Sequence, residues 1–422
     1  MFDDTPDHPL AKTHAITEVK CDQFVRFFYA HLFRHHPKTR PLFPILMDEQ
    51  HDRFGQALKN IVRHAGDPHL RRYLETLGRD HRKFNVGCDF YQAVGETLIA
   101  ALKQCCGVAW TAEAERAWTA AYASISESMM AGAAEAEQQG LPCWWDAEIT
   151  ESHRQSGDHV VITARLDRHL PYRAGQYITL HTARLPGVWR PYSLACPPRT
   201  DRVVELHVSR VRQGRLSGTL VGESTPGDIL RLGPANGCTT LSPLLPRPLA
   251  FMAAGTGWAQ IKALLQELAQ RPAAPQAWAI LTVQDSRRFY DLEGFKALEH
   301  SCPQMDFLLL DSRGSGGAHE ATRRLQSFIS GTGGWSARDV YLSGPPGFVS
   351  CARQALIDNG SVSERIFADA EPGYLSDDSR ASVPPSVRRV LNRAPRWIDP
   401  ANGASMCEAA RPSRRHPGPG AR

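Results

Sequence analysis

Four consecutive residues, Arg190-Pro191-Tyr192-Ser193, supply a cation, an aromatic ring and a hydroxyl group. In an extended strand alternate side chains lie on the same face, so Arg190 and Tyr192 project together. A guanidinium group binds phosphate through a fork of parallel hydrogen bonds, and an aromatic face can lie against a planar ring. These are the groups that a flavin dinucleotide site requires. Alone, the pattern also fits a surface strand, so the neighbouring motifs decide between the two interpretations.

Glycine-containing turns follow this segment along the chain. Gly214-Arg-Leu-Ser217 comes after a strand pattern and resembles a turn whose helix N-terminus receives a pyrophosphate. Gly255-Thr256-Gly257 lies between an apolar strand and a helix, where the backbone can approach a dinucleotide phosphate. The segment Tyr341-Leu-Ser-Gly-Pro-Pro346 ends another strand, at the edge where an open α/β sheet binds ligands. With Gly175-Gln-Tyr177, these turns predict a flavin site followed by a nicotinamide site.

His81 is the candidate metal ligand, in the segment Gly-Arg-Asp-His-Arg-Lys-Phe-Asn-Val86. A haem iron needs an imidazole that is held on a helix and whose second nitrogen is bonded nearby. The chain has 17 histidines, and an arbitrary histidine is usually a surface or core residue. The choice of His81 therefore depends on its surroundings, in particular on Phe28-Tyr-Ala-His-Leu-Phe33 and on Tyr91.

The elements that must position these residues change in character along the chain. Residues 15–140 predict helices only, with Thr111 capping the last of them, and no strand pattern occurs there. After residue 140 short strands follow at the spacing of an antiparallel barrel. Strands and helices alternate from about Leu249, as in a parallel α/β sheet. The predicted barrel strands are His159–Ala164, Gln176–Thr182, Val203–Val211 and Asp228–Leu232.

We therefore predict a multidomain protein. An all-α domain, which carries the candidate iron ligand His81, covers residues 1–141, an antiparallel β-barrel FAD domain residues 142–246, and an α/β parallel-sheet NAD(P)H-binding domain residues 247–374. The basic stretch over residues 375–422 is rich in proline and arginine and has little periodicity, so we predict a disordered tail.

Length and composition agree with this organisation. The 422 residues suit about three domains, and 42% hydrophobic with 22% charged residues is ordinary for a soluble protein. Much of the net charge of +5 comes from the tail, so it indicates a solvated end rather than a nucleic-acid partner. With no leader pattern, no membrane-length apolar run and no CxxC pair among ten cysteines, we expect a cytoplasmic monomer.

The turns resemble, in order and spacing, those of the ferredoxin–NADP reductase superfamily over residues 145–371. The resemblance implies that flavin is bound by Tyr177, Arg190, Pro191, Tyr192, Ser193 and Ser217. It implies that the nicotinamide nucleotide is bound by Gly255, Thr256, Gly257, Gln260, Gly344 and Pro345.

Three positions depart from that family pattern. Gln260 stands where a proline usually ends the glycine turn, and Ser343 stands where a cysteine faces the nicotinamide. Glu371 falls at the position of the aromatic residue that shields the flavin, and Tyr374 is the aromatic residue that could substitute. These changes bear on hydride-transfer rate and nucleotide choice more than on architecture.

The N-terminal region resembles the globin domain of flavohaemoglobins over residues 15–137. The resemblance implies a haem b whose iron is bound by His81, with Tyr91 on the same, proximal side. It implies that Phe43 stacks on the haem and that the Tyr29 hydroxyl donates a hydrogen bond to the oxygen substrate, which makes Tyr29, Tyr91 and His81 the predicted catalytic residues. Ala133 stands where the family has a proximal glutamate, while Glu135 and Glu137 follow it.

The alignment of the opposite, distal side of the haem leaves two alternatives. A one-residue insertion places Phe54 where the family has a glutamine and Leu58 at the apolar haem contact. Without the insertion, Arg53 and Ala57 take those two positions. Asp80, before the proximal histidine, stands where a lysine is common.

A globin followed by this reductase is the flavohaemoglobin arrangement, which implies nitric oxide dioxygenation with NAD(P)H, O₂ and NO as small-molecule partners. Two other functions stay open. One is a divergent flavohaemoglobin that oxidises another substrate or reduces O₂ or peroxide, and the other is a haem-based sensor with a vestigial reductase. After the second strand of the α/β region, Asp285 favours NADH whereas Arg287 and Arg288 favour NADPH, so both nucleotides stay open with a slight preference for NADH.

Overall fold

The computed structural model describes residues 9–63, 68–311 and 317–368. Within these ranges the chain forms two compact units. One contains residues 9–40 and 62–141, and the other contains residues 41–61 and 142–368. Glu371, Tyr374 and the predicted tail over 375–422 lie outside the described residues.

The N-terminal region is helical, as predicted. Apolar residues that recur every three or four positions form the buried stripe of an amphipathic helix, and in α2 this stripe includes Phe24, Phe28 and Leu32. Thr111 caps α6, as predicted, because its hydroxyl oxygen accepts a hydrogen bond from the Ala114 amide at 3.1 Å. The helices are α1 (Pro9–Val19), α2 (Cys21–His35), α3 (Asp48–Arg63), α4 (Pro68–His81), α5 (Cys88–Cys106) and α6 (Ala112–Gln138).

Helices α4 and α6 cross at two glycines. A β-carbon at Gly78 would lie 1.9 Å from the carbonyl oxygen of Met129, and one at Gly132 would lie 2.0 Å from that of Glu75. The two backbones therefore touch at a distance that no side chain permits. Because α4 ends at His81, this crossing also fixes where the candidate iron ligand emerges.

Six antiparallel strands form the sheet that follows along the chain, in the order β4-β3-β6-β1-β2-β5. A bridge between Leu194 and Leu206 joins the end of β4 to β5, so the two edges of the sheet meet. Inward side chains such as Ile162 and Leu180 fill the interior, which confirms the predicted barrel architecture. The strands are β1 (Trp145–Ser156), β2 (His159–Leu166), β3 (Tyr177–Thr182), β4 (Arg190–Ser193), β5 (Val203–Ser209) and β6 (Ile229–Leu232). Helix α7 (Arg215–Glu223) lies between β5 and β6.

Five parallel strands form the predicted α/β sheet, in the order β11-β10-β7-β8-β9. Both faces of β7 are buried, one in a core with Leu264 and the other in a core with Leu342. Chain order reverses between β7 and β10, and this switch point is where such sheets bind ligands. The strands are β7 (Leu249–Ala254), β8 (Ala277–Val283), β9 (Met305–Asp311), β10 (Asp339–Ser343) and β11 (Ile366–Ala368). The helices are α8 (Trp258–Ala269), α9 (Leu292–Ser301), α10 (Gly317–Gly331) and α11 (Pro346–Asp358).

Two strands have no counterpart in the sequence prediction. The buried positions Trp145, Ala147 and Ile149 alternate only in the first half of β1, and irregular pairing interrupts the strand after Ile149. Strand β11 has only three residues and depends on its pairing with β10. Within the described part of the chain, none of the helices combines the length and apolar character required to cross a membrane.

The glycine crossing generates a stability prediction. We expect Gly78→Ala to destabilise the protein by about 2–3 kcal/mol or more, because the added methyl group must push α4 away from the α6 backbone. Chemical denaturation followed by far-UV circular dichroism measures this change. Gly331→Ala is the control, since Gly331 is helical and has nothing within 4 Å of the added carbon. A Gly78→Ala protein as stable as this control would contradict the crossing.

Candidate functional site

The predicted flavin segment lies in the strand pair of β3 and β4. In their register Tyr177 is opposite Ser193, and Ile178 is opposite Tyr192. Residues paired across strands share a face, so Arg190 and Tyr192 lie on the face of the buried Ile178, while Tyr177 and Ser193 lie on the other face. All four β4 residues are half-buried. The structure thus brings the predicted residues onto one strand pair but divides them between its two faces.

Two arginines, Arg190 of β4 and Arg215 at the start of α7, make this region positively charged. Burial lowers the pKa of Arg190, the nearby Tyr192 opposes that shift, and the positive charge of Arg215 lowers the pKa further. Arg190 Nη1 donates a hydrogen bond to the Trp189 carbonyl at 2.9 Å. A bound anion would relieve the repulsion between the two guanidinium groups, so the strand fits a dinucleotide pyrophosphate.

Ser217 lies in the first turn of α7 and holds the turn before it. Its hydroxyl oxygen accepts a hydrogen bond from the Val211 amide at 3.0 Å, and the hydroxyl donates to the Gly214 carbonyl at 3.3 Å. A β-carbon at Gly214 would lie 2.7 Å from the Ser217 hydroxyl oxygen, so glycine is required there. Gly214 offers no capping side chain, and the first amides of α7 are suited to a phosphate.

The two nicotinamide motifs meet at the switch point between β7 and β10. A β-carbon at Gly257 would lie 2.3 Å from the carbonyl oxygen of Ser343 and 2.6 Å from the Gly344 nitrogen. Gly255 has φ of +56°, the left-handed conformation that favours glycine. The first helical residue of α8 follows directly at Trp258. Backbone amides and open backbone therefore gather at this edge, as a dinucleotide site requires.

His81, at the end of α4, has one ring nitrogen fixed by its own helix. Its Nδ1 lies 2.7 Å from the Leu77 carbonyl oxygen, which can only accept, so Nδ1 carries the proton and Nε2 holds a lone pair. Burial lowers the pKa of His81, and the Asp80 carboxylate opposes this shift only in part. The neutral imidazole is the form that binds iron. Buried Lys83 bonds both carboxylate oxygens of Asp80 at 2.7 Å, which holds the turn after His81.

The other proximal positions lie on α5 and α6. Tyr91 is buried, its carbonyl accepts a hydrogen bond from the Tyr122 hydroxyl, and burial raises the pKa of Tyr91 to about 12. Glu135 lies 3.9 Å from Arg79 and accepts a hydrogen bond from Gln139, while Glu137 is exposed. The contact described at His81 Nδ1 is thus with a neutral carbonyl and not with a carboxylate.

The distal candidates belong to different units. Tyr29 is 3% exposed in α2 and packs edge-to-face with Phe28. In the other unit, Leu58 is buried and Phe54 and Phe43 are half-buried, whereas Arg53 is exposed and its Nη1 lies 3.5 Å from the Trp189 carbonyl oxygen. The burial of Leu58 agrees with an apolar contact, and both distal alignments stay open.

Two protein-family models match this chain. The model described as Globin matches residues 26–129, and the model described as Oxidoreductase FAD-binding domain matches residues 146–239. The flavohemoprotein of Bordetella pertussis is 25% identical over 392 residues, which cover 86% of this chain and 94% of the relative. Reductase component 1 of terephthalate 1,2-dioxygenase from Comamonas sp is 30% identical over 200 residues, 47% of this chain and 59% of the relative.

A crystal structure of flavohemoglobin from Malassezia yamatoensis, with bound FAD and heme, superposes with a TM-score of 0.68 at 17% identity. It covers 87% of this chain and 98% of that one, and it shows a common fold. The globin match precedes the FAD-binding match in one chain. The likeness to flavohemoproteins extends over both. The chain is therefore similar to flavohaemoglobins in domain order and over most of its length.

The chain is an NAD(P)H-dependent oxidoreductase. The predicted cofactors haem and FAD are confirmed by its globin and FAD-binding domains. The individual residues that contact them stay a prediction.

Gln260 takes an unexpected place in this structure. Its side chain is buried, and Nε2 donates a hydrogen bond to the Gly175 carbonyl at 2.6 Å. Gly175 lies two residues before Tyr177, on the path into the flavin strand pair. The described contact of the Gln260 amide is thus with the barrel, although the sequence predicts a role in nucleotide binding.

A buried polar network next to Gln260 has no sequence signal beyond a lysine among the apolar residues of α8. Lys262 Nζ donates to Glu205 at 2.8 Å and to Asp291 at 3.0 Å. His207 Nε2 donates to Glu205 at 2.6 Å, and Trp258 Nε1 donates to Asp291 at 2.7 Å. The network joins β5 of the barrel to α8 of the parallel-sheet region, and only folding brings its members together.

The network predicts a pH-dependent contribution to stability. Burial alone would raise the pKa of Glu205, but the hydrogen bond from His207 and the charge of Lys262 outweigh it and lower the pKa to about 2. The carboxylate therefore stabilises the fold above pH 4.5, its ordinary value, and this contribution disappears as the pH falls towards 2. We expect Glu205→Gln to cost roughly 2–4 kcal/mol at pH 7 and to flatten the stability profile between those limits.

Urea denaturation followed by the release of flavin fluorescence measures this effect. Glu151→Gln is the matched control, because Glu151 forms an exposed pair with His153 at 3.2 Å and should contribute below about 1 kcal/mol. Equal losses in the two variants would refute a stabilising role for the buried network.

Proposed function

We propose that this protein is a flavohaemoglobin-type nitric oxide dioxygenase. When bound, the cofactors would supply hydride transfer from NAD(P)H to FAD, single-electron transfer to haem, and a haem iron at which O₂ and NO would be converted to nitrate. The observation that carries the proposal is the combination, in one chain, of an imidazole at His81 whose Nδ1 is hydrogen-bonded to the Leu77 carbonyl with a glycine turn at the switch point and the strand Arg190–Ser193. The flavohemoprotein relatives support the same assignment.

In the reductase half, the proposed roles follow from charge and shape. Arg190 and Arg215 bind the FAD pyrophosphate together with the first amides of α7. Tyr192, half-buried beside Arg190, lies against the flavin. Ser193 and Tyr177 contact the flavin from the opposite face of the strand pair. Pro191 limits the conformations of this short strand.

The nicotinamide end has its own proposed set. Gly257 and Ser343 lie so close together that a dinucleotide would have to bind against the exposed backbone at this edge. Gly255, Thr256, Gly344 and Pro345 therefore contact the nucleotide phosphates and the nicotinamide.

In the globin half, His81 Nε2 binds the iron, while the Leu77 carbonyl keeps the ring in one orientation. Tyr29 has its hydroxyl in an apolar setting, where a hydrogen bond to a partly negative oxygen is strong. Tyr91 supports the proximal side, and Phe43 and Leu58 supply apolar contacts to the haem.

One observation favours a second function, the reduction of O₂ or peroxide or the oxidation of another substrate. His81 Nδ1 donates to a neutral carbonyl, whereas a carboxylate partner would make the imidazole more electron-rich. A haem-based sensor with a vestigial reductase is the third alternative, and it predicts no reduction of haem by nucleotide.

Anaerobic addition of NADH separates these functions. We expect the flavin absorbance to bleach and a ferrous haem spectrum to follow, and an unchanged spectrum would exclude both enzyme functions. In air, NADH-dependent consumption of NO then distinguishes the dioxygenase from the second function.

We expect Tyr29→Phe to slow NO consumption by about 10- to 100-fold, since it removes a hydrogen bond to a charged oxygen. Rates of NO loss at an electrode, per bound haem, measure this. Tyr73→Phe, which removes a phenolic hydroxyl from α4, is the control. Equal rates for Tyr29→Phe and the control would contradict the role of Tyr29.

We also propose a preference for NADH. Asp285 accepts a hydrogen bond from the Arg287 amide at 3.0 Å and lies 3.4 Å from Arg287 Nε, so the acid and this base are paired. Asp311, at the end of the neighbouring strand, accepts from the Ser286 hydroxyl at 2.6 Å. Two carboxylates at this edge favour a free ribose hydroxyl over a 2′-phosphate.

We expect Asp285→Ser to lower the ratio of kcat/KM for NADH over NADPH by about tenfold. The substitution removes the repulsion between the Asp285 carboxylate and the 2′-phosphate of NADPH. Steady-state reduction of a ferricyanide acceptor measures this ratio. An unchanged ratio would show that Asp285 does not choose the nucleotide.

A further inference from the structure

Helix α8 is the element that carries the nucleotide turn. It starts directly after Gly257, and nine of its twelve residues are buried, from Trp258 to Leu268. A helix held on so many sides moves only as a whole, so its contacts set the position of the turn at its N-terminus.

The contact of α8 with the barrel lies within one helical turn of the glycines. Gln260 Nε2 donates to the Gly175 carbonyl at 2.6 Å, and Gln260 is 3% exposed. Gly175 has no freedom to follow a displaced partner. It has φ of +89°, and the space beside its α-carbon is filled by the Thr239 carbonyl oxygen and by Leu264.

The backbone beyond Gly175 leads straight to the flavin strands. Tyr177 exchanges two backbone hydrogen bonds with Asn236, at 2.9 and 2.8 Å, and pairs with Ser193. The nucleotide turn, Gln260, Gly175 and the flavin strand pair thus form one continuous set of short contacts.

We propose that Gln260 is a positioning residue for hydride transfer, which sets the distance between the nucleotide turn and the flavin strands. The residue differs from the proline that the resemblance leads one to expect, and proline has no side-chain donor. The inference concerns the step from NAD(P)H to FAD, and it holds whatever the haem does with the electrons.

The requirement is one of geometry. A misplacement of about 1 Å between reacting groups can lower a rate by about 100-fold. Removing the Gln260 donor also leaves the buried Gly175 carbonyl without this partner, so the barrel loop and α8 would both relax. The reaction should therefore slow even when both cofactors still bind.

The test compares Gln260→Met, which keeps the length of the side chain, and Gln260→Pro, which introduces the family residue. Stopped-flow bleaching of the flavin by saturating NADH, without O₂ and per bound FAD, gives the rate of hydride transfer. The long-wavelength charge-transfer absorbance of reduced flavin with NAD⁺ reports the stacking without turnover. Thermal unfolding and FAD content report stability.

Arg271→Met is the matched control. Arg271 lies just past the other end of α8, and its Nη1 donates to the Ser242 carbonyl at 2.6 Å, which is again a bond from a side chain to a backbone carbonyl. It is remote in sequence from the nucleotide turn and from the flavin strands.

We expect both Gln260 variants to reduce flavin at least about tenfold more slowly than the parent protein and to lose charge-transfer absorbance, with Arg271→Met unchanged in both. If Gln260→Pro does not accumulate, Gln260→Met decides the result. Reduction within twofold of the parent rate, or a slowing shared by Arg271→Met, would overturn the proposal. Because NO consumption is not measured, a failure here is distinct from a failure of the dioxygenase assignment.

Discussion

The close approach of two backbones at the switch point is the constraint on which the reductase half depends. Gly257 lies against Ser343 and Gly344 at a distance where a β-carbon cannot fit. Parallel strands bring the ends of β7 and β10 to the same edge, and the glycines let the chain turn there without a side chain in the way. A nucleotide that reaches this edge meets amides and carbonyls rather than side chains.

Helix α8 links that edge to the barrel through two kinds of contact. Gln260 makes a neutral hydrogen bond to Gly175, and Lys262 makes a buried ionic contact with Glu205. Apolar packing alone tolerates small shifts, whereas hydrogen bonds between buried groups hold one geometry. The polar contacts of α8 therefore fix its position relative to the barrel, in addition to the stability that the ionic contact contributes.

In the globin half, close packing of two helices fixes the position of the candidate iron ligand. Gly78 and Gly132 let α4 and α6 touch, and α4 ends at His81. The ring of His81 is held by Leu77, from the same helix, so its orientation needs no partner on α6. The position of Ala133 on α6, where the family has a glutamate, is consistent with this self-contained arrangement. With His81 as the proposed iron ligand, this arrangement would alter electron donation to the iron.

The sequence alone determined the order of the three folds, and it proposed the segments that carry the chemistry. Helical periodicity, the Thr111 cap and the turn at Gly255 are local patterns, so they could be read from neighbouring residues. Only the tertiary structure decided that Gln260 contacts Gly175 and that Glu205, Lys262 and Asp291 meet. Those residues are distant along the chain, and no local preference encodes their contacts. The hydrogen-bond partner of His81 could not be predicted either. Every residue has a backbone carbonyl, and the sequence does not show which one a side chain will use.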